Sequence, residues 1–131
     1  KFCTLEKSAV ELLPFINKTN FKVNYTVIPY EYASTIDFRF HLKKDVTQKT
    51  FIDDLEDSIH NGYLNKLYDI EDYDNGPEIF NCTPYSSVFI KDGINKVGDN
   101  FYLQAYFDNE NSVNRYYDLL SFISNSLDKD R

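Results

Sequence analysis

The chain has 131 residues, 42% hydrophobic and 27% charged, and its 21 acidic against 14 basic side chains give a net charge of −7. That length serves one core of ordinary size, so a single α+β domain spanning 1–131 is expected. The charge argues against nucleic acid or an anionic membrane as the target, and no apolar run reaches the ~20 residues of a membrane span.

Eleven Phe and eleven Tyr with no Trp imply a core of packed rings, with several Tyr at the surface where the hydroxyl stays wet. The chain has no Met and begins at Lys1, which reads as an initiator removed with a signal segment or by excision, and so as an exported chain. Cys3 and Cys82 could close a long disulfide loop or stand as two buried thiols. The N-x-T triplets at Asn17, Asn24 and Asn81 would accept glycans in a eukaryotic secretory pathway.

Residues 4–16 read as a first helix: Leu5, Ala9, Leu12, Leu13 and Ile16 share a face, Thr4 is a candidate N-cap, and Pro14 ends or kinks the last turn. Residues 21–28 alternate Phe21, Val23, Tyr25 and Val27 with polar neighbours, a strand stopped by Pro29. Residues 35–42 alternate Ile36, Phe38, Phe40 and Leu42 with Thr35, Asp37, Arg39 and His41, the mark of a strand with one buried face. The economical pairing of these two strands is an antiparallel hairpin. The period then changes to that of a helix, with Phe51, Ile52, Leu55 and Ile59 on one face. Asp45 or Thr47 can cap it, Gln48 can complete a capping box from Asp45, and Gly62 is a natural stop.

One or two further helical turns follow at 63–68. Residues 69–78, with five carboxylates and Asn-Gly-Pro punctuation, read as a loop. A strand at 86–91, a turn at Asp92-Gly93 and a short extension at 94–97 suggest a hairpin. A strong strand at 101–107 and a last helix at 112–127 complete the chain, the helix burying Val113, Tyr116 or Tyr117, Leu120, Ile123 and Leu127. The expected architecture is an antiparallel sheet of four to six strands with about three helices packed mainly on one face.

No catalytic motif emerges. The four glycines frame no nucleophile elbow or phosphate loop. Cys82 could be activated by His41 or His60, but nothing in the sequence joins them, and His60 already complements the negative end of its helix. Glu71, Asp72, Asp74 and Glu78 surround Gly76 superficially like a calcium loop, yet the register fails because Cys82 falls where the bidentate Glu is required. No metal and no cofactor is therefore expected.

What remains is a surface constellation. Asp53, Asp54, Glu56 and Asp57 lie on the second helix, and Glu71, Asp72, Asp74 and Glu78 follow, interleaved with Tyr68 and Tyr73. Carboxylates mixed with tyrosines suit a partner protein with a basic surface, since charge steers the encounter and rings supply contact area. The expectation is a non-enzymatic binding protein of the immunity or inhibitor type. Two alternatives stay open. The element order resembles that of small secretion chaperones in topology over most of the chain; this implies a dimer gripping an effector segment, though residues 51–59 are more polar than a dimer helix would be. The other is an exported structural or receptor-binding domain stapled by Cys3 and Cys82.

Overall fold

The computed structural model describes residues 4–24, 26–27, 31 and 33–127. They fall into two compact units, Lys1–Tyr30 and Glu31–Arg131. The described residues hold three α-helices and a five-stranded mixed, mostly antiparallel sheet, an α+β architecture.

The first unit contains helix α1 (Thr4–Leu12). Thr4 is its first helical residue, and the helix stops just before the Leu13-Pro14 step, because proline cannot continue the ladder. The Asn17 side chain accepts from the Thr19 N–H at 2.9 Å and the Asn20 side chain accepts from the Asn17 N–H at 2.7 Å, which closes a tight turn. Lys22 then reaches back to Glu6 at 3.0 Å. That hydrogen bond holds the Glu6 carboxyl below its ordinary value. The strand expected at 21–28 does not form over residues 21–24 and 26–27, while Tyr25 and Ile28 lie outside the described residues. Alternation specifies two faces but supplies no neighbour to bond, and a lone strand leaves its backbone unpaired.

In the second unit, β1 (Ala33–His41) pairs antiparallel with β5 (Asn100–Asp108) along its whole length, from Ala33 opposite Asp108 to His41 opposite Asn100. This pairing replaces the expected hairpin between the first two predicted strands. The other edge of β5 is shared. β4 (Asn95–Val97) takes the Phe101 end through a two-residue turn with Gly98 at φ +59°, a backbone state that glycine adopts without steric cost. β3 (Ser87–Ile90) takes the Tyr106 end. The anticipated β3–β4 hairpin is thus absent: both strands bond to β5.

β2 (Tyr68–Glu71) lies parallel to β3 on the sheet's far edge, in a stretch read from sequence as loop. Tyr68 and Ile70 alternate with Asp69 and Glu71, a period of two hidden by the carboxylate density around it. Ile70 belongs to the core cluster beside Phe89.

Helix α2 (Gln48–His60) covers one face of this sheet. Thr47 caps it, its hydroxyl accepting from the Thr50 N–H at 3.1 Å. The capping box from Asp45 does not form. Gln48 instead donates to the Ile94 carbonyl at 2.8 Å, and Asp45 pairs with Lys96 at 2.7 Å. Phe51, Ile52 and Leu55 pack with Phe38, Phe40 and Leu42 around Ile94, Phe101 and Leu103. Phe101 is fully buried, its ring centroid 4.5 Å from Phe51 and 5.9 Å from Phe40; burying one such side chain contributes about 1.5–3 kcal/mol. Gly62 ends α2 by close approach: a Cβ there would sit 2.9 Å from the Ser58 Cα. The Asn65 side chain donates to the Ile59 and His60 carbonyls at 3.1 and 2.8 Å, satisfying the helix end.

The opposite face carries a second cluster of Ala33, Val88, Ile90, Tyr106 and Phe80, with Tyr85 against it. Phe80 comes from a 3-10 turn at Pro77–Phe80, and its ring stacks on Tyr106 at 5.1 Å. One end of the face predicted to be wet is therefore covered.

Helix α3 (Ser112–Leu127) overturns its expected burial. Val113, Tyr116, Tyr117, Leu120 and Ile123 are all exposed; the Leu127 side chain lies outside the described residues. The half-buried residues are instead the polar Asn114, Arg115 and Ser121. Arg115 donates to the Pro84 carbonyl at 3.0 Å, and Asn111, just ahead of the helix, donates to the Ser86 carbonyl at 2.9 Å. An amphipathic pattern identifies an apolar stripe without identifying what it faces. Here α2 and the Phe80 segment already occupy the two sheet faces.

Candidate functional site

The ten predicted partner-facing residues separate into groups around the β2 edge of the sheet. On α2, the face opposite the Phe51, Ile52, Leu55 stripe falls at Asp53 and Asp57, while Asp54 lies at the edge of the stripe one turn after Phe51; all three are exposed. Asp53 pairs with Lys49 one turn earlier at 2.6 Å, and Asp57 accepts from the Asn61 side chain at 2.9 Å. Glu56 lies at the flank of the helix, half-buried, because it turns toward Lys91.

Lys91 is the junction. Its ammonium sits 2.6 Å from Glu56 and 3.5 Å from Asp72, so one cation ties α2 to the end of β2. The Glu56 hydrogen bond raises the Lys91 pKa above its ordinary 10.5, partly opposed by desolvation and assisted by Asp72. The Asp92 N–H also donates to the Asp72 carbonyl at 3.2 Å. Glu71 is exposed at the end of β2, and Tyr73, 69% exposed, follows it.

Asp74 passes to the other side. It accepts from the Tyr106 hydroxyl at 3.1 and 3.2 Å, and Tyr106 packs on the Phe80 face, opposite α2. Glu78 is exposed on the 3-10 turn of that same region. The predicted set is therefore an acidic rim that wraps the sheet edge and not one flat face. Tyr68 departs from the partner-facing role in geometry, since it is half-buried with its ring on Phe89 at 5.7 Å.

Sequence reasoning missed the feature next to the α2 carboxylates. A cleft of about 290 Å³ is lined by Leu42, Val46, Phe51, Leu55, Tyr63 and Leu64, with Asp54 and Ser58 on its wall. Tyr63 at its side is 83% exposed. Its lining comes from three separate stretches: the connection from β1 to α2, α2 itself, and the turn after Gly62. No local pattern announces it. The signal available in sequence was the apolar Tyr63-Leu64 pair directly after a helix stop.

Cys82 and His41, one candidate thiol–imidazole pair, stay apart. Cys82 carries a free, exposed thiol at φ +62°, its N–H bonded to the buried Asp108 at 2.6 Å. Asp108 lies opposite Ala33 and His41 lies opposite Asn100, so the thiol and that imidazole occupy opposite ends of the nine-residue ladder, roughly 27 Å apart at ~3.4 Å per residue. His60 sits at the C-terminal end of α2. Cys3 lies outside the described residues. Among the described residues no group of three His, Cys, Asp or Glu gathers as a metal site, and no helix is long and apolar enough to cross a membrane. No protein-family model matches this sequence, and no curated protein matches it.

Proposed function

We propose that this protein is a non-enzymatic binding module that engages a basic partner protein through α2 and the β2 end. The observation that carries the reading is the apolar cleft bordered by Asp54 on the helix that also presents Asp53 and Asp57. An apolar pocket beside a row of carboxylates suits a partner segment with a large apolar side chain next to Lys or Arg. The pocket supplies the desolvated anchor, and the carboxylates steer the approach and set its register. Lys91 supports this by fixing Glu56 and Asp72 in place before any partner arrives, which lowers the ordering cost of binding. Such a module fits an inhibitor or immunity role, in which the partner's own active surface is occupied.

Affinity capture from the native source identifies the partner, and charge reversal then tests the face. Asp54→Lys with Asp57→Lys should weaken binding at least tenfold, about 1.4 kcal/mol, with the larger effect at low salt. Asp74→Lys with Glu78→Lys, on the opposite side of the sheet, should do less. Equal binding by a folded Asp54→Lys, Asp57→Lys chain would overturn the proposal.

A further inference from the structure

We infer that α3 is a self-association surface and pairs with α3 of a second copy of this chain. The helix presents its polar side to its own unit: Asn114, Arg115 and Ser121 are half-buried, and two of the three Arg115 guanidinium nitrogens are buried without a hydrogen-bond partner among the described residues. Its apolar side is left exposed among the described residues. Val113, Tyr116, Leu120 and Ile123 follow one another at steps of three, four and three, the a and d spacing of a helical seam, and Tyr117 and Leu119 flank them. These six side chains are 45–71% exposed.

Two properties favour a second copy over a different occupant. The first is charge. The chain carries −7, so most ways of bringing two copies together are opposed by repulsion. The only charged residues between Ser112 and Leu127 are Arg115 and Asp118, which pair with each other at 3.1 Å and lie off the seam. By contrast, α1 and α2 carry more acidic than basic side chains, whereas α3 is neutral. The second is area. At roughly 150–200 Å² for a whole side chain of this size, the six leave on the order of 700 Å² uncovered, against the ~600 Å² per partner at the lower bound of stable specific interfaces. A two-fold pairing places the same seam on both sides and needs no second surface.

Sedimentation equilibrium of the full chain, up to about 200 µM, populates any interface of micromolar affinity. A dimer is expected, persisting as salt is raised because the seam is apolar. Leu120→Glu should raise its dissociation constant at least tenfold, and Ile123→Gln should raise it in the same direction. Asn125→Glu, exposed on the far side of the helix, should leave it unchanged. Circular dichroism confirms that each variant keeps its fold. A monomer at the highest concentration would overturn the inference, and so would a dimer dispersed by salt or indifferent to Leu120→Glu. A monomer whose α3 amides resist hydrogen exchange would also overturn it, by showing that residues of the same chain cover the helix.

Discussion

Phe101 is the residue through which α2 is fastened to the sheet, and its truncation tests the packing argument most directly. The ring is fully buried and touches the rings of Phe51 on α2 and Phe40 on β1. Phe101→Ala removes a whole ring from a site where rings from three elements meet, so the walls have little freedom to collapse. The expected cost is about 3–5 kcal/mol, a large share of the ~5–15 kcal/mol that holds a domain folded. Urea unfolding followed by circular dichroism should show a midpoint lowered by about 2 M at unchanged slope. Ile79→Ala, at a residue 54% exposed on the 3-10 turn, is the control and should cost no more than about 0.5 kcal/mol. A Phe101→Ala cost below about 1.5 kcal/mol, or one equal to the control, would refute the claim that this ring cluster is the centre of the core.

The glycines give a paired test: Gly62→Ala places a Cβ 2.9 Å from Ser58 Cα and 3.0 Å from Ser58 O, backbone that cannot swing aside, and should destabilise by about 1–3 kcal/mol in thermal melts. Gly93→Ala finds its nearest neighbours at 3.8 Å and should be neutral or stabilising by up to about 1 kcal/mol through the unfolded chain. For pH, the Lys96 hydrogen bond and charge hold the Asp45 carboxyl below its ordinary 3.8. A depressed folded-state value means the Asp45 contribution is complete above 3.8 and is lost as pH falls through the folded pKa. An NMR titration should place the Asp45 midpoint below 3.8 and return it toward that value in Lys96→Gln; a midpoint unmoved by that substitution would contradict the pairing.

Much of the second unit was legible because one face of each main element is apolar at the right period. β1, α2 and β5 appear within a few residues of their expected bounds for that reason. The failures have a common physical origin: periodicity reports which side chains want cover and not what provides it. The alternation at 21–28 yields no strand over its described residues, 21–24 and 26–27. The periodicity of α3 predicts a buried apolar stripe, whereas Val113, Tyr116, Tyr117, Leu120 and Ile123 are exposed. β2 was missed for a different reason, since its four residues sit within the densest run of carboxylates. The acidic residues of the expected surface are mostly exposed, but their division about the sheet edge follows from the Tyr106 hydroxyl reaching Asp74, a contact 32 residues apart in sequence that no local pattern encodes. The cleft left only the Tyr63-Leu64 pair as a trace in sequence, because its walls come from stretches between Leu42 and Leu64 that only the fold brings together.

The union of β1 with β5 has a consequence for how the chain reaches its fold. Residue 41 must wait for residue 100 before the longest ladder can close, whereas β4 and β5 are joined by two residues and can pair at once. During synthesis at ~5–20 residues per second, β1 would stand without its partner for roughly 3–12 s. Its alternating carboxylate, guanidinium and imidazole at Asp37, Arg39 and His41 keep one side of that waiting segment hydrated. Ladders of such separation place the chain among folds that form in milliseconds to seconds. A microsecond refolding phase recovering the full tertiary signal would contradict this order, in which the carboxyl-terminal hairpin forms first and β1 docks last.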